Sequence, residues 1–448
     1  MLKGPPLFTH LVTRMIAQTV LPFKLAATDE SLTAHAGLAL FGEYLTAMGL
    51  ASLIDQELPA PGSAMGYKPS AFVAPLLLTL HGGGRTLEDT RMIRNDTGLL
   101  TILRVAAPSS DAMGDWLRRM GAKGLDGLGC VNRGVARRLI RRESRDDYTL
   151  DIDASQIVAE KREAHWTYKG ERGYMPMVGH LAENGLVIGY EFREGNAAPS
   201  SRNLEFLQTC EANLPRGKRI KSARIDSAGY QAAIINWLND TGKDFAVGAD
   251  QDSAVKAAIR QIPESEWVAF QDGEIAETVH TMNETKKAFR LIVLRRPQEQ
   301  DLFDPNKAPY RYHAIASNRP LDEVSAATMT WYAQRGDASE NRIKDLKIGF
   351  GMEYMPCGTF AANAAFFAIG VLAHNLYIGF RRIISGESCT SLQVQTVRWR
   401  LYQTAGKVVR HSRQFILKIS AAALDLFTAI RERCANLWQE GVFVYETS

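Results

Sequence analysis

The sequence predicts an α/β fold, a mixed sheet flanked by helices, with an all-helical N-terminal part and a β-rich insertion. Three observations predict it. Up to about residue 147, apolar residues recur at three- and four-residue intervals, the period of helices packed on one face. From Tyr148 the order becomes three strand-like runs, then helix, strand, helix, strand. Between about Gln251 and Ser317 that alternation breaks into charged strand-like pieces. With 448 residues, 46% of them hydrophobic, the chain can bury a large core, and its length fits two or three domains.

Each element has its own signal. Helices are expected in Gly37–Leu53, Ser70–His81 and Ala112–Met120. Gly82-Gly83-Gly84-Arg85 lacks the following Gly-Lys-Ser/Thr of a phosphate loop and reads as a plain turn. Asn132 to Arg145 carries Arg133, Arg137, Arg138, Arg141, Arg142 and Arg145, a basic face open to two readings: phosphate contact, above all by Arg137 and Arg141, or ordinary solvation. Met175–Ala182 and Leu186–Arg193 flank Asn184-Gly185, a hairpin turn, and should pair with the strand at 148–155. Ser201–Asn213 is helical, Lys218–Ile225 a strand, Tyr230–Leu238 a helix and Phe245–Gly248 a short buried strand. Antiparallel strands followed by alternating helices and parallel strands is the order of an RNase H-like core.

Strand-like pieces Trp267–Gln271, Glu277–Met282, Ala288–Arg295 and Tyr310–Ala316 form the insertion, with a loop at 305–309. Trp267 could grip a distorted DNA end or belong to a core, since Trp is highly buried on average. Leu321–Gln334 and Leu424–Trp438 are helical. Thr359–Phe380 is long enough to span a bilayer, but Asn363, His374 and Asn375 mark it as a buried helix, and no membrane association is expected. The expected divisions are therefore 1–147, 148–250, 251–317, 318–385 and 386–448.

Net charge +4 and pI near 8.7 are mildly basic, so nucleic-acid binding has to rest on local clusters such as Arg398, Arg400, Lys407, Arg410, Arg413 and Lys418. The five cysteines form no CxxC pair, which argues against a zinc knuckle and a disulfide framework. No secretory signal is visible between Met1 and Thr28, and a cytoplasmic setting is expected.

The chemistry concentrates in three acidic stretches. Thr149, Asp151 and Asp153 share one face of a strand, where two carboxylates are costly unless solvated or holding a cation. Either Asp could be the ligand, and a strand-end turn is the competing use. Asp226 ends the strand Lys218–Ile225, where α/β sheets place ligand groups, although it could simply cap the next helix. Asp337 and Glu340 have capping-box spacing, while Glu340, Lys344 and Lys347 fall on one helical face, where a carboxylate could hold a metal and the lysines a phosphate.

Taken together, Asp-Ile-Asp-Ala-Ser (151–155), Arg-Ile-Asp-Ser-Ala-Gly (224–229) and Tyr-x-x-Arg…Glu-Asn-Arg-Ile-Lys-Asp-Leu-Lys (332–347) resemble the DDE transposases of bacterial insertion sequences. Within these the chain is most similar to the insertion-sequence four superfamily, thirteen-eighty group, whose core carries a β-strand insertion. The resemblance implies Asp153, Asp226 and Glu340 as the catalytic, metal-binding triad, with Asp151 as the alternative first Asp. It implies Tyr332, Arg335 and Lys347, with Lys344 beside them, as DNA phosphate contacts. The Arg-to-Glu gap is one residue longer than in the usual signature. It further implies two Mg²⁺ ions, replaceable by Mn²⁺, and binding to terminal inverted repeats and target DNA. A homodimer on DNA and a bacterial, nucleoid-associated location are implied as well. The N-terminal helices would bind DNA. Two rivals stand beside a transposase: an RNase H-like nuclease without strand transfer, and an inactive DNA-binding derivative.

Overall fold

The computed structural model describes residues 26–298, 309–336, 344–386 and 392–440. The expected loop at 305–309, except Pro309, and the capping-box pair Asp337 and Glu340 lie outside the described residues. Nine strands form one sheet: β1 (Asp147–Ala154), β2 (Met177–Leu181), β3 (Val187–Glu191), β4 (Arg219–Ile225), β5 (Asp244–Gly248), β6 (Val268–Phe270), β7 (Gly273–His280), β8 (Phe289–Pro297) and β9 (Tyr310–Ser317). Their spatial order is β6-β7-β8-β9-β5-β4-β1-β2-β3. The last five positions are the RNase H-like core. There β1 pairs antiparallel with β2 and β2 with β3, while β4 joins β1, and β5 joins β4, in parallel.

Local sequence explains the pairing. Tyr148, Leu150 and Ile152 alternate along β1 and are fully buried, as a strand covered on one face requires. Asn184-Gly185 turns β2 into β3, with Gly185 at φ 79°. Gly179 and Gly189 sit opposite each other in that hairpin. A Cβ on either would collide with the Cys210 sulfur of helix α8 (Asn203–Ala212, numbered in the chain order given below), so two bare backbones let the helix lie close to the sheet.

The strands of the expected β-rich insertion continue the sheet, because β9 pairs antiparallel with β5 and carries β8, β7 and β6 outward. Nor do the N-terminal helices close a core of their own. These are α1 (Ala36–Ala47), α2 (Leu50–Glu57), α3 (Ser70–Gly82), α4 (Thr90–Asn95), α5 (Thr97–Leu103), α6 (Ser110–Arg119) and α7 (Gly121–Arg141). The helix expected across Gly37–Leu53 is broken at Gly49, whose φ of 63° bends α1 and α2 by 60°.

After α8 come α9 (Ala232–Asp240), α10 (Ser253–Arg260), α11 (Ser325–Arg335), α12 (Phe360–Ser385) and α13 (Ala421–Gln439). Helix α12 is the hub, packed by α3, α6, α7 and α13 and by the edge of the sheet at β3. It is apolar and long enough to cross a membrane, but 94% of its apolar window is buried inside the protein. Its polar residues are spoken for. Asn363 donates to the Tyr174 hydroxyl at 3.1 Å, and His374 Nε2 meets the Gly185 carbonyl at 3.0 Å. Asn132 of α7 donates to the Ala368 carbonyl, and His81 of α3 contacts the Ala373 carbonyl. One contiguous apolar cluster thus joins the N-terminal helices, α12 and the core strands.

Asn375 is the clearest join between helix and sheet. Its side chain accepts from Val187 N–H at 2.9 Å and donates to Val187 C=O at 2.8 Å. Asn375→Ala strands two buried backbone groups, each costing about 1–3 kcal/mol. The variant should therefore lose roughly 2–5 kcal/mol, read as a lower denaturation midpoint with an unchanged m-value.

Candidate active site

Asp153 and Asp226 come together through strand register. Ile152 is the parallel partner of Ile225, so each Asp is the next residue at the same end of a neighbouring strand, about 5 Å apart in the pairing direction. Asp153 is partly exposed, with Arg335 Nη1 3.4 Å from Oδ1. Asp226 caps the turn Ser227–Gly229 by accepting from Ala228 N–H at 3.1 Å. Burial pushes the Asp226 carboxyl above its ordinary range, with Arg335 and the Ala228 N–H opposing. The capping use expected of Asp226 is met at this position.

Asp151 has a different fate. It is fully buried, and its two oxygens each accept from Arg224 at 2.7 Å. The two residues face each other across β1 and β4. Arg224 also donates to the Trp331 carbonyl at 2.7 Å and lies over its ring. The Asp-x-Asp pair is thus divided: Asp151 is consumed in an internal ion pair, and Asp153 is the one that opens outward.

Helix α11 brings the cations. Met329 and Tyr332 pack on Ala246, Ile275, Ile292, Leu294 and Ile315, which fixes the helix on the sheet and points Arg335 at its end toward Asp153. Burial works against the Arg335 charge, but Tyr332, Asp153, Asp226 and Asp151 outweigh it and hold the guanidinium more strongly protonated than usual. After the undescribed stretch, Asp345–Gly349 is a π-helical turn, closed by Phe350 N–H to the Asp345 carbonyl. Such turns re-aim side chains within helices. Here Lys347 Nζ donates to Ser155 Oγ at 3.1 Å and Gln156 O at 2.9 Å, on the segment leaving β1. Lys344 is exposed.

Asp226, Tyr332 and Arg335 line a cleft of about 1020 Å³, together with Lys256, Arg260, Arg311 and His313. Burial, then Arg296, Arg311 and Arg335, lower the His313 pKa and favour its neutral imidazole. Sequence reasoning missed this wall and the Arg224 pair. A signal for the pair was present, since Asp151 and Arg224 each stand two residues before an acidic strand-end residue and carry opposite charge.

Other expected DNA contacts are engaged elsewhere. Arg137 donates to the Ala212 and Asn213 carbonyls and closes the end of α8, Arg138 is buried against the Ala47 and Met48 carbonyls, and Arg142 pairs with Glu440. Arg141 remains exposed. Trp267 belongs to the apolar core cluster: it is 9% exposed and lies under the Arg295 guanidinium at 4.2 Å. In the tail, Arg398 is buried on the Leu80, His81 and Gly349 carbonyls.

Divalent cations are the natural complement of the acidic strand ends. Asp153 and Asp226 offer hard oxygens side by side, and the burial that raises the Asp226 pKa is the cost a bound cation would relieve. Among the described residues no group of three metal-binding side chains occurs; Glu340 lies outside them, five residues after Arg335 and seven before Lys347. The chain belongs to the family described as "Transposase DDE domain group 1", whose profile matches residues 19–438; it is a DDE-type, DNA-cleaving transposase. No curated protein matches. A solved piggyBac transposase synaptic complex with hairpin DNA is similar over 92% of this chain and 87% of that one, at 10% identity and TM-score 0.44.

Asp151 and Asp226 should behave oppositely in stability experiments. Asp151→Asn leaves Arg224 buried without its counter-charge and should destabilise by about 3–5 kcal/mol. Asp226→Asn should do the reverse at neutral pH. A carboxyl whose folded pKa is raised contributes stability below its unfolded pKa, about 3.9, and loses it as pH rises through the folded value. In metal-free buffer the Asp226→Asn variant should therefore melt above the wild type near pH 7, the gap closing below about pH 4, as thermal unfolding across pH would show.

Proposed function

We propose that this enzyme is the transposase of a bacterial insertion sequence of the four superfamily, thirteen-eighty group. It binds the terminal inverted repeats, cuts DNA at the element ends and joins the released 3′-hydroxyls to target DNA. The observation that carries this reading is the register-matched pair Asp153 and Asp226, with Arg335 meeting Asp153 and Lys347 meeting Ser155 at the same strand end.

Asp153, rather than Asp151, is the first ligand in this reading, because both oxygens of Asp151 are already taken by Arg224. Asp153, Asp226 and Glu340 would hold two Mg²⁺, with Mn²⁺ able to substitute. Such ions supply the positive charge that activates an attacking oxygen and steadies the leaving one. Lys347 and Arg335 hold the scissile phosphate in place, with Lys344 and Tyr332 beside them. Arg335 lies 3.4 Å from Asp153, where its guanidinium would also hold a phosphate oxygen. Two copies of the chain hold the two ends, and the reaction takes place in the cytoplasm, at the nucleoid.

The test is cleavage of DNA carrying the flanking terminal repeats. Asp153→Asn, Asp226→Asn and Glu340→Gln should each lower Mg²⁺-dependent cleavage by about a hundredfold or more, since even outer-shell partners of metal ligands cost 10–100-fold. Binding to the repeats should stay near the wild-type level. Wild-type protein that binds the repeats yet cuts with neither Mg²⁺ nor Mn²⁺ would overturn the proposal.

A further inference from the structure

Lys347 stands in the middle of the π-helical turn Asp345–Gly349, so its aim at the end of β1 depends on how that turn is held. Leu346 and Phe350 are buried and fix one side of it. Its end is tied elsewhere in the chain: the Gly349 carbonyl accepts from Arg398 Nη2 at 2.6 Å. The same nitrogen donates to the Leu80 carbonyl at 2.7 Å, and Arg398 Nε donates to the His81 carbonyl at 2.8 Å. Leu80 and His81 belong to the last turn of α3, where helix carbonyls run out of intrahelical donors. Arg398 itself opens a second π-helical turn, Arg398–Tyr402. One guanidinium therefore joins the end of an N-terminal helix to the turn that carries Lys347.

Arg398 is 6% exposed, and its hydrogen-bond partners among the described residues are these three carbonyls, with no carboxylate. Burial pulls its pKa down to about 10, with Tyr402 and Tyr377 opposing the fall and Arg85 adding to it. Keeping a cation in the interior without a counter-carboxylate is unfavourable, and the negative end of the α3 dipole offsets some of that. An apolar side chain would fill the same space without the desolvation. What a guanidinium adds is a rigid planar fork of donors that sets two backbone segments at a fixed distance. Bare backbone lets those segments approach. A Cβ on Gly349 would crowd Val394, four residues before Arg398, at 3.1 Å, and a Cβ on Gly351 would meet Arg85, just after α3, at 2.9 Å. Arg85 in turn pairs with Glu353 at 3.1 Å.

We propose that Arg398 is a positioning residue for the cutting reaction: it fixes the π-turn against the end of α3, so that Lys347 stands beside Ser155 and Gln156, where the scissile phosphate is held. The inference rests on the DNA-cutting reading and adds to it a buried residue that acts through Lys347. Through this residue the end of α3 becomes part of what supports the active site.

Two measurements on the full-length protein test it. In hydrogen–deuterium exchange without DNA, peptides covering 345–354 should exchange several-fold faster in Arg398→Met than in the wild type, while peptides from β1, β4 and β5 keep their wild-type rates. In single-turnover cleavage of saturating terminal-repeat DNA with Mg²⁺, Arg398→Met should cut on the order of tenfold to a hundredfold more slowly, the loss that a displacement of about 1 Å produces. Its affinity for the repeats should be unchanged. Lys347→Met should also cut slowly, and the double variant no more slowly than Lys347→Met alone, because both changes act on the same ammonium group. If Arg398→Met does not fold, Arg398→Lys, which keeps the charge but not the planar fork, takes its place with a smaller loss in the same direction. Unchanged exchange over 345–354, a wild-type cleavage rate in the folded variant, or losses that multiply in the double variant overturn the proposal while leaving the DNA-cutting reading standing. A wild type that cuts with neither Mg²⁺ nor Mn²⁺ removes that reading, and the exchange rates then decide by themselves whether Arg398 holds the turn.

Discussion

The buried ion pair between Asp151 and Arg224 is the interaction on which the rest of the site depends. It lies between two parallel strands, is shielded from water on both sides, and extends through Arg224 to the carbonyl of Trp331. A buried pair of this kind adds little net stability compared with well-packed apolar residues, because desolvation offsets most of the attraction. What it supplies is geometry. It locks the end of α11 to β1 and β4, two residues before Asp153 and Asp226, so helix and strands reach the same point in a fixed relation. Placing catalytic groups within fractions of an ångström requires such support from residues that do no chemistry themselves.

The outer strands have a part in the same construction. Taken as a separate insertion, β6 to β9 would be an accessory. As a continuation of the sheet they build the apolar bed, Ile275, Ile292, Leu294 and Ile315, on which Met329 and Tyr332 rest. Extending the sheet gives α11 a surface to lie on and closes one wall of the cleft with Arg311 and His313. The cations of these strands are largely spent in holding them together, as Arg290 with Glu277 and Arg295 with Glu264 and Glu274 show.

Much of this was legible in the chain, and the reasons differ by residue. Strand and helix identity followed from period, since Tyr148, Leu150 and Ile152 alternate and the turn at Asn184-Gly185 is chemically explicit. The strand-end position of Asp226 followed from the same logic. What periodicity cannot convey is pairing between distant segments. The join of β9 to β5, the docking of the N-terminal helices on α12, and the choice between Asp151 and Asp153 all depend on partners tens to hundreds of residues away. Arginines were the least readable of all. A guanidinium serves a phosphate, a carboxylate or a helix-end carbonyl equally well, so Arg137 and Arg398 looked like DNA contacts and are internal ties.

The central position of α12 has a consequence for synthesis of the protein. Helices α1 to α7 and the strands β1 to β3 are made first, yet the surface they share arrives only with residues 360–385. At about 5–20 residues per second, the ribosome needs on the order of ten seconds or more to travel from the end of α7 to the end of α12. During that interval the first third of the chain holds apolar faces that have no partner, and the contacts that complete it are long-range and slow to form. Assembly of the nucleolytic centre is thereby delayed until residues 360–385 have been made, and a product terminated before them lacks the helix that unites the helical and strand parts.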